Sequence, residues 1–495
     1  MSVPYVTLLV VLPLLAAAAV LAVGARPVLA RWIALTSGLA QLVLFAWTAA
    51  AYFAAPAAST HIGRIGLVER YTLLKGLGID YFVGVDGLSL PLIGLTALLG
   101  VVAVLVSWKV QDRPAGLLAL LLALEAACIG VLVSLNLILF YIFWEAVLVP
   151  MFFIIGMWGS GRRQYSATKF FIYTLSGSVL MLGGFLLLYS AAGRSATFNL
   201  TDLAGVPFAT GVQVLAFLLL FAGFAVKVPV FPLHTWLPDA HVDAPTGGSV
   251  MLAGILLKLG GYGLLRISLP LLPVAWARLS GVIVVLAVVS ILYGALMALA
   301  QSDLKRLVAY SSVSHMGFVM LGIAVGSTAA LAGALFQMLS HGLIAAMLFA
   351  LVGAVYERTH TREIGSLGGL TLKVPVLAGT LLFASVAALG LPLLSGFIGE
   401  FVVLSTFFDR AGPIALIPAL SLVLTAGYVL WMVQRATTLD VSDRFGDVGD
   451  MKLHEAGALA PLGACVVALG VAPWIVMGPA SGAVAAIARR LGGVG

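Results

Sequence analysis

Residues 219 to 267 read LLFAGFAVKVPVFPLHTWLPDAHVDAPTGGSVMLAGILLKLGGYGLLRI: two apolar runs, each holding a lysine, with prolines crowded between them. A charged side chain at the centre of a membrane helix costs about 2.5 to 3.5 kcal/mol on insertion scales, so neither Lys227 nor Lys258 is there for structural convenience. Lys258 lies midway along the apolar stretch 247–267, too far from either interface for its ammonium group to snorkel out. Pro229 and Pro232 follow Lys227 at once. Each proline removes a backbone donor and crowds the carbonyl one turn back, which predicts a helix that breaks near Pro232 and again before Pro238. A broken helix is tolerated at that depth only where protein or water satisfies the freed carbonyls.

Outward from this stretch, composition bounds the class. Hydrophobic residues fill 62% of 495 positions and charged ones 9%, and the mean hydropathy is +1.16. Such a chain is a polytopic membrane protein. The formal net charge of +7 does not indicate nucleic acid, because the basic residues are scattered among short loops instead of gathered on one face. Cys128 and Cys465 lie singly in apolar runs, which gives no CxxC, no zinc spacing and no haem-attachment motif. The first apolar run, 4–24, has no basic segment before it and reads as a span and not a leader.

Apolar windows give an all-α reading with fourteen spans: 4–24, 29–52, 86–107, 115–134, 135–157, 168–192, 212–236, 247–267, 277–300, 307–325, 328–354, 375–408, 414–436 and 456–480. The loop 53–85 reads as an extramembrane cap. The twelfth window is longer than a bilayer crossing needs and contains Gly390, Pro392, Ser395, Gly396 and Gly399, which predicts a second broken helix. Spans seven and twelve are antiparallel by count. The chain therefore divides into three N-terminal helices with the cap (1–110), two inverted five-helix repeats (115–267 and 277–436) and a loop with a final helix (437–495). On the side shared by both termini fall nine Lys and Arg residues, Arg266 among them; fifteen, including Lys305, Arg358 and Arg444, fall on the other. The basic excess places both termini away from the cytoplasm.

Set against these spans, the ionisable residues form a layer. Glu125, Glu145, Lys227, Lys258, His315, His341 and Glu400 fall well inside seven different spans. Together they carry a gross insertion penalty of about 20 kcal/mol, which a structural role does not repay. Their chemistry is protonic: burial favours neutral forms, a neighbouring opposite charge favours ionised ones, and a Glu and Lys pair that separates and approaches exchanges protons reversibly. Histidines relay between such sites near neutral pH. The expected scheme has Glu145 and Lys227 as a switchable pair, Lys258 holding the central proton, His315 and His341 relaying it and Glu400 releasing it. Glu125 is either a hydrogen-bonded structural carboxyl or a further element. His234 and His241, with Asp239 and Asp243 nearby, fit a water-lined cavity better than a metal site, because the prolines between them leave no regular ligand repeat.

FYIFWEAVLVPMFFIIGMWG (140–159), KVPVFPLHTWLPDAHVDAPTGGSVMLAGILLKLGGYGLLR (227–266), QSDLKRLVAYSSVSHMGFVMLGI (301–323) and LPLLSGFIGEF (391–401) resemble the signatures of the antiporter-like, proton-translocating membrane subunits of respiratory complex I, which are related to multisubunit sodium/proton antiporters. The resemblance runs from about residue 85 to 435. Most members carry a lysine at the second break, whereas the chain-M branch carries a glutamate, as Glu400 stands in GFIGEF; the length of 495 residues suits the same branch. The resemblance implies proton-transfer roles for Glu145, Lys227, Lys258 and Glu400, with His315 and His341 on the connecting path. At Asn136 relatives often have aspartate. It further implies neighbouring antiporter-like chains L and N, a bacterial inner-membrane location, and FMN, iron–sulfur clusters and quinone held by partner subunits. No nucleotide fingerprint, cluster-binding cysteine set or flavin motif occurs in this chain, so a redox centre here is not expected. Three other readings stand beside a pump subunit: a sodium/proton antiporter chain, a haem protein ligated by His315 and His341, and a structural scaffold.

Overall fold

In lipid no water satisfies a free backbone amide, so apolar runs rich in Leu, Ala and Val close their hydrogen bonds within helices. The computed structural model describes residues 3–54, 58–60, 62–438 and 449–492, and Arg444 of the basic count lies outside them. Helices α1 (Tyr5–Ala22) and α2 (Pro27–Ala54) lead to a cap of three strands, β1 (Ala58–Thr60), β2 (Gly63–Leu74) and β3 (Ile79–Val85). Then come α3 (Ser89–Val106), α4 (Pro114–Val133), α5 (Leu137–Trp158) and α6 (Arg163–Ala191). The first break separates α7 (Thr210–Lys227) from α8 (Trp236–Asp243). α9 (Thr246–Leu271) follows, and after it α10 (Pro273–Leu299), α11 (Leu304–Val325) and α12 (Thr328–Thr359). The second break separates α13 (Pro375–Leu389) from α14 (Ser395–Ala411), and the chain ends with α15 (Leu416–Thr437), α16 (Leu453–Val471) and α17 (Trp474–Arg490).

Among the described residues thirteen helices are long and apolar enough to cross a membrane, against the fourteen windows expected. The difference lies at the second break, where α13 is only fifteen residues long and α14 runs through a short turn into α15 as one apolar stretch, Ser395–Thr437. The first break also differs from expectation. α7 stops at Lys227 itself, ahead of Pro229, and the chain resumes its helix at Trp236. Pro238 does not break the chain again, because it sits in the first turn of α8, where a missing N–H costs nothing. The last window, 456–480, is likewise divided, since α16 ends at Val471 and α17 begins at Trp474.

The cap is an antiparallel sheet in the order β1-β2-β3, with Tyr71 opposite Tyr81. It is stapled to the helices by polar contacts. Glu69 on β2 accepts from the Val6 and Thr7 amides at 2.8 and 3.1 Å, so a carboxylate meets the open N–H groups of α1. Asp80 on β3 pairs with Arg70 at 2.8 Å and accepts from Asn199 Nδ2 at 2.9 Å. Asn199 in turn accepts from Asn136 Nδ2 at 2.9 Å, while Asn136 Oδ1 caps the first turn of α5. An aspartate at 136 could cap the helix but could not donate to Asn199, which gives the asparagine a structural reason.

Burial opposes ionisation of Asp80, but Asn199 and Arg70 outweigh it and hold the carboxyl below its ordinary value of 3.8. A depressed folded-state value stabilises the cap above that pH and loses the contribution as pH falls through it. Pepsin cleavage of the segment 53–85 should therefore rise as the pH drops below about 4. In Asp80→Asn the same digestion should be faster throughout and less dependent on pH.

Candidate functional site

The centre of the site is carried by helices that other helices enclose. Every residue in the apolar window of α9 is buried, as are 94% of those in α11 and α12. Within α9 two π-helical turns, Leu252–Leu256 and Leu264–Ser268, flank the short α-helical segment Leu257–Gly263 that bears Lys258. Wide turns of this kind loosen the regular carbonyl pairing and are frequent at functional positions. Lys258 Nζ, fully buried, donates to the Ala253 carbonyl in the first of them and meets His341 Nδ1 of α12 at 2.7 Å. The approach requires glycine at 342, where a Cβ would stand 2.7 Å from the Gly254 carbonyl oxygen.

From His341 the row continues. Its ring lies 5.7 Å, centroid to centroid, from that of His315 on α11. His315 Nδ1 meets Glu400 Oε1 on α14 at 2.6 Å, and Gln337 Nε2 donates to the same oxygen at 3.0 Å. Nε2 of each histidine has no protein partner, and both residues line a cavity of about 20 Å³ with Ser311, Ser340 and Glu400. That volume accommodates a water molecule. The order Lys258, His341, His315, Glu400 is thus fixed by contact, whereas the sequence had left the two histidines unordered.

The first half of the expected scheme is not closed. Lys227, the last residue of α7 and 1% exposed, has no hydrogen-bond partner among the described residues. Its Nζ sits 5.1 Å from the centroid of the Trp144 ring, a cation–π placement. Glu145 is the next residue along α5 and its Oε1 is also unpartnered, so the two groups are neighbours without an ion pair between them. Glu125 is buried against α3 where Gly100 leaves room; a Cβ there would stand 2.4 Å from Glu125 Oε2. Its Oε1 accepts no hydrogen bond, and it stands apart from the lysine and histidine row.

His234 and His241 take separate places. His234 lies in the break, packed edge-on to Tyr293 with ring centroids 4.9 Å apart, and His241 on α8 stacks flat on Phe349 at 4.4 Å. Asp239 pairs with Lys169 at 2.7 Å, and Asp243 accepts from Ser166 Oγ at 2.6 Å. Among the described residues no group of His, Cys, Asp and Glu is gathered as a metal site. A haem between His315 and His341 does not fit either. The space beside their open Nε2 atoms is about 20 Å³, far too small for a porphyrin.

Two cations that the sequence reading assigned to loops are buried. Arg266, 2% exposed, pairs with Asp86 beneath the cap, and its Nε meets Tyr262 Oη at 3.1 Å. Lys305, 7% exposed, donates to the Ala244 carbonyl at 2.6 Å, while Arg362 Nη1 donates to Val242 at 2.7 Å. Cations from the second half thereby hold the C-terminal carbonyls of α8 in the first. The signal for Lys305 was present in SDLKR. Asp303 caps α11 through the Arg306 amide, which places Lys305 in the first turn of a helix and not in a loop.

Residues 134–425 match the family described as NADH:quinone oxidoreductase/Mrp antiporter, TM. NADH-quinone oxidoreductase subunit M from Rhodobacter capsulatus is 43% identical over 479 residues, covering 93% of this chain and 92% of that one. A chain of respiratory complex I from Thermus thermophilus, solved with bound NADH, superposes with a TM-score of 0.88 at 31% identity, covering 99% of this chain and 100% of that chain. A chain of the Mrp complex from Dietzia sp. DQ12-45-1b shares the fold at a TM-score of 0.85 and 22% identity, covering 99% and 100%.

Replacing Lys305 by methionine leaves the Ala244 carbonyl without its donor. The substitution should destabilise the break by about 1 to 3 kcal/mol, read as a lower unfolding temperature of the purified complex and faster proteolysis between residues 228 and 246.

Proposed function

The chain belongs to the NADH:quinone oxidoreductase/Mrp antiporter membrane family, among the M subunits of NADH-quinone oxidoreductase, and from that premise we propose that it moves protons across the bilayer through its own buried Lys, His and Glu residues. The observation that carries this reading is the row Lys258, His341, His315, Glu400, in which each side chain touches the next or shares one small cavity with it. A protonated Lys258 donates to the neutral Nδ1 of His341. That imidazole then releases a proton from Nε2 toward the cavity, and His315, holding Glu400 through its own Nδ1, accepts on Nε2. Proton transfer of this kind needs only groups that bind and release at two atoms, and both histidines present one partnered and one open nitrogen.

Glu145 and Lys227 form the loading end. Lys227 sits where α7 unwinds, so a small shift of the break brings it toward Glu145 or away from it, and its affinity for a proton changes with that distance. Electron transfer belongs to partner subunits carrying FMN, iron–sulfur clusters and quinone. Neighbouring antiporter-like chains L and N flank this one in a bacterial plasma membrane, with both termini on the non-cytoplasmic side. His234, His241 and Glu125 serve as secondary polar sites along the hydrated parts of the path. The sodium/proton antiporter reading rests on the shared fold with the Mrp chain, and it differs in predicting sodium-dependent pH changes without any dehydrogenase.

In vesicles containing the complete complex, Lys258→Met should cut NADH-driven proton uptake at least about tenfold, the loss expected for a proton carrier removed from a relay. Glu400→Gln should do the same while the complex still assembles. Unchanged proton uptake in Lys258→Met at normal quinone reductase activity would sink the scheme.

A further inference from the structure

On the side of α12 that carries Leu339 and Leu343, helices α2, α3, α12, α16 and α17 line a half-open cavity of about 510 Å³ walled by apolar side chains, including Phe45, Phe53, Leu98, Leu343, Cys465 and Pro479. Phe53 and Pro479 also wall a second chamber of about 250 Å³. This chamber is of another kind: Arg64 of the cap, Tyr52 and Ser481 line it, and glycines 478 and 482 leave backbone open to it. Apolar tail space thus adjoins a cationic headspace. The depth fits as well. Leu42 and Phe53 mark the extent of the apolar wall along α2, and eleven residues at about 1.5 Å each span roughly 16 Å, the thickness of one leaflet of a bilayer core about 30 Å across. Trp474 at the start of α17 is 66% exposed beside it, as a side chain anchored at the membrane interface would be.

We propose that these adjacent chambers are a phospholipid site, with an acyl chain in the apolar cavity and the phosphate at Arg64. A guanidinium matches a phosphate in charge and in hydrogen-bond geometry, and volumes of this order are those of ligand sites. The lipid ties the cap and α17 to α2 and α3, none of which bears a residue of the proton row.

The test places the purified complex in phosphatidylethanolamine and phosphatidylglycerol vesicles doped with a phosphatidylethanolamine carrying a diazirine on one acyl chain. After photolysis, adducts are mapped by mass spectrometry. Residues 42–53 and 465–479 should be labelled above the lipid-facing surface of α10 around Val282 and Val285. Ala468→Trp, which fills the cavity, should abolish that excess. Arg64→Gln should reduce labelling by the phospholipid at least about tenfold, the worth of a charge-assisted hydrogen bond, while leaving labelling by a diazirine diacylglycerol intact. Labelling no higher than on α10 would overturn the proposal as bulk lipid contact, and its absence would overturn it in favour of a neighbouring subunit covering the face. An Arg64→Gln variant that changes both probes equally, or neither, would remove the phosphate from the argument and overturn it too.

Discussion

Water does not reach the ammonium group of Lys258, so the chain itself must solvate it. Much of the central architecture follows from that demand. The π turns in α9 present a backbone carbonyl at Ala253, and the close packing at Gly342 delivers a histidine nitrogen. The three most enclosed helices are those that carry the lysine and the two histidines. Of the two partners that satisfy the lysine, the Ala253 carbonyl only accepts a hydrogen bond, whereas His341 is itself able to bind a proton, which is what the proposed relay requires.

The two breaks use this in different ways. At the second, Glu400 is held by His315 and Gln337, so its carboxylate is committed to the row. At the first, Lys227 rests over an indole ring with no hydrogen-bond partner among the described residues, and Oε1 of Glu145 beside it is open as well. On the proposed proton path a connected half stands next to a disconnected one, and a carrier that is not bound to its neighbour would transfer only after the structure shifts. Lys305 at the start of α11 and Arg362 beyond α12 reach the carbonyls at the end of α8 and tie that region to the second half of the chain.

Legibility in the sequence followed the kind of physics involved. Each apolar run declared its helix, because lipid punishes any other backbone, and a charge deep inside an apolar run declared itself by its cost. Lys227, Lys258, Glu145 and Glu400 were therefore visible one by one. Lys305 and Arg266 were not, since both fall near span ends where charge is ordinary, and only packing shows that they are enclosed. The cap was visible as a loop but not as a sheet. Its strands are fixed by pairing between β2 and β3 and by contacts from Glu69 and Asp80 to distant helices, which no local periodicity encodes. The exact end of α7 escaped as well, because proline chemistry says that a helix must stop but not how many residues ahead of the ring.

By itself the sequence determined the membrane class, the two breaks, which ionisable residues lie inside the apolar runs and, with the glutamate at position 400, the branch of the family. All of these rest on the cost of placing a given residue at a given depth, which is a property of one residue and its solvent. Only the tertiary structure decided that His341 belongs to Lys258 and His315 to Glu400, that Lys227 stands open, and that an apolar cavity lies between α2 and α16. Those facts depend on distances of a few ångströms between side chains far apart in the chain, and such distances are set by the packing of helices against one another.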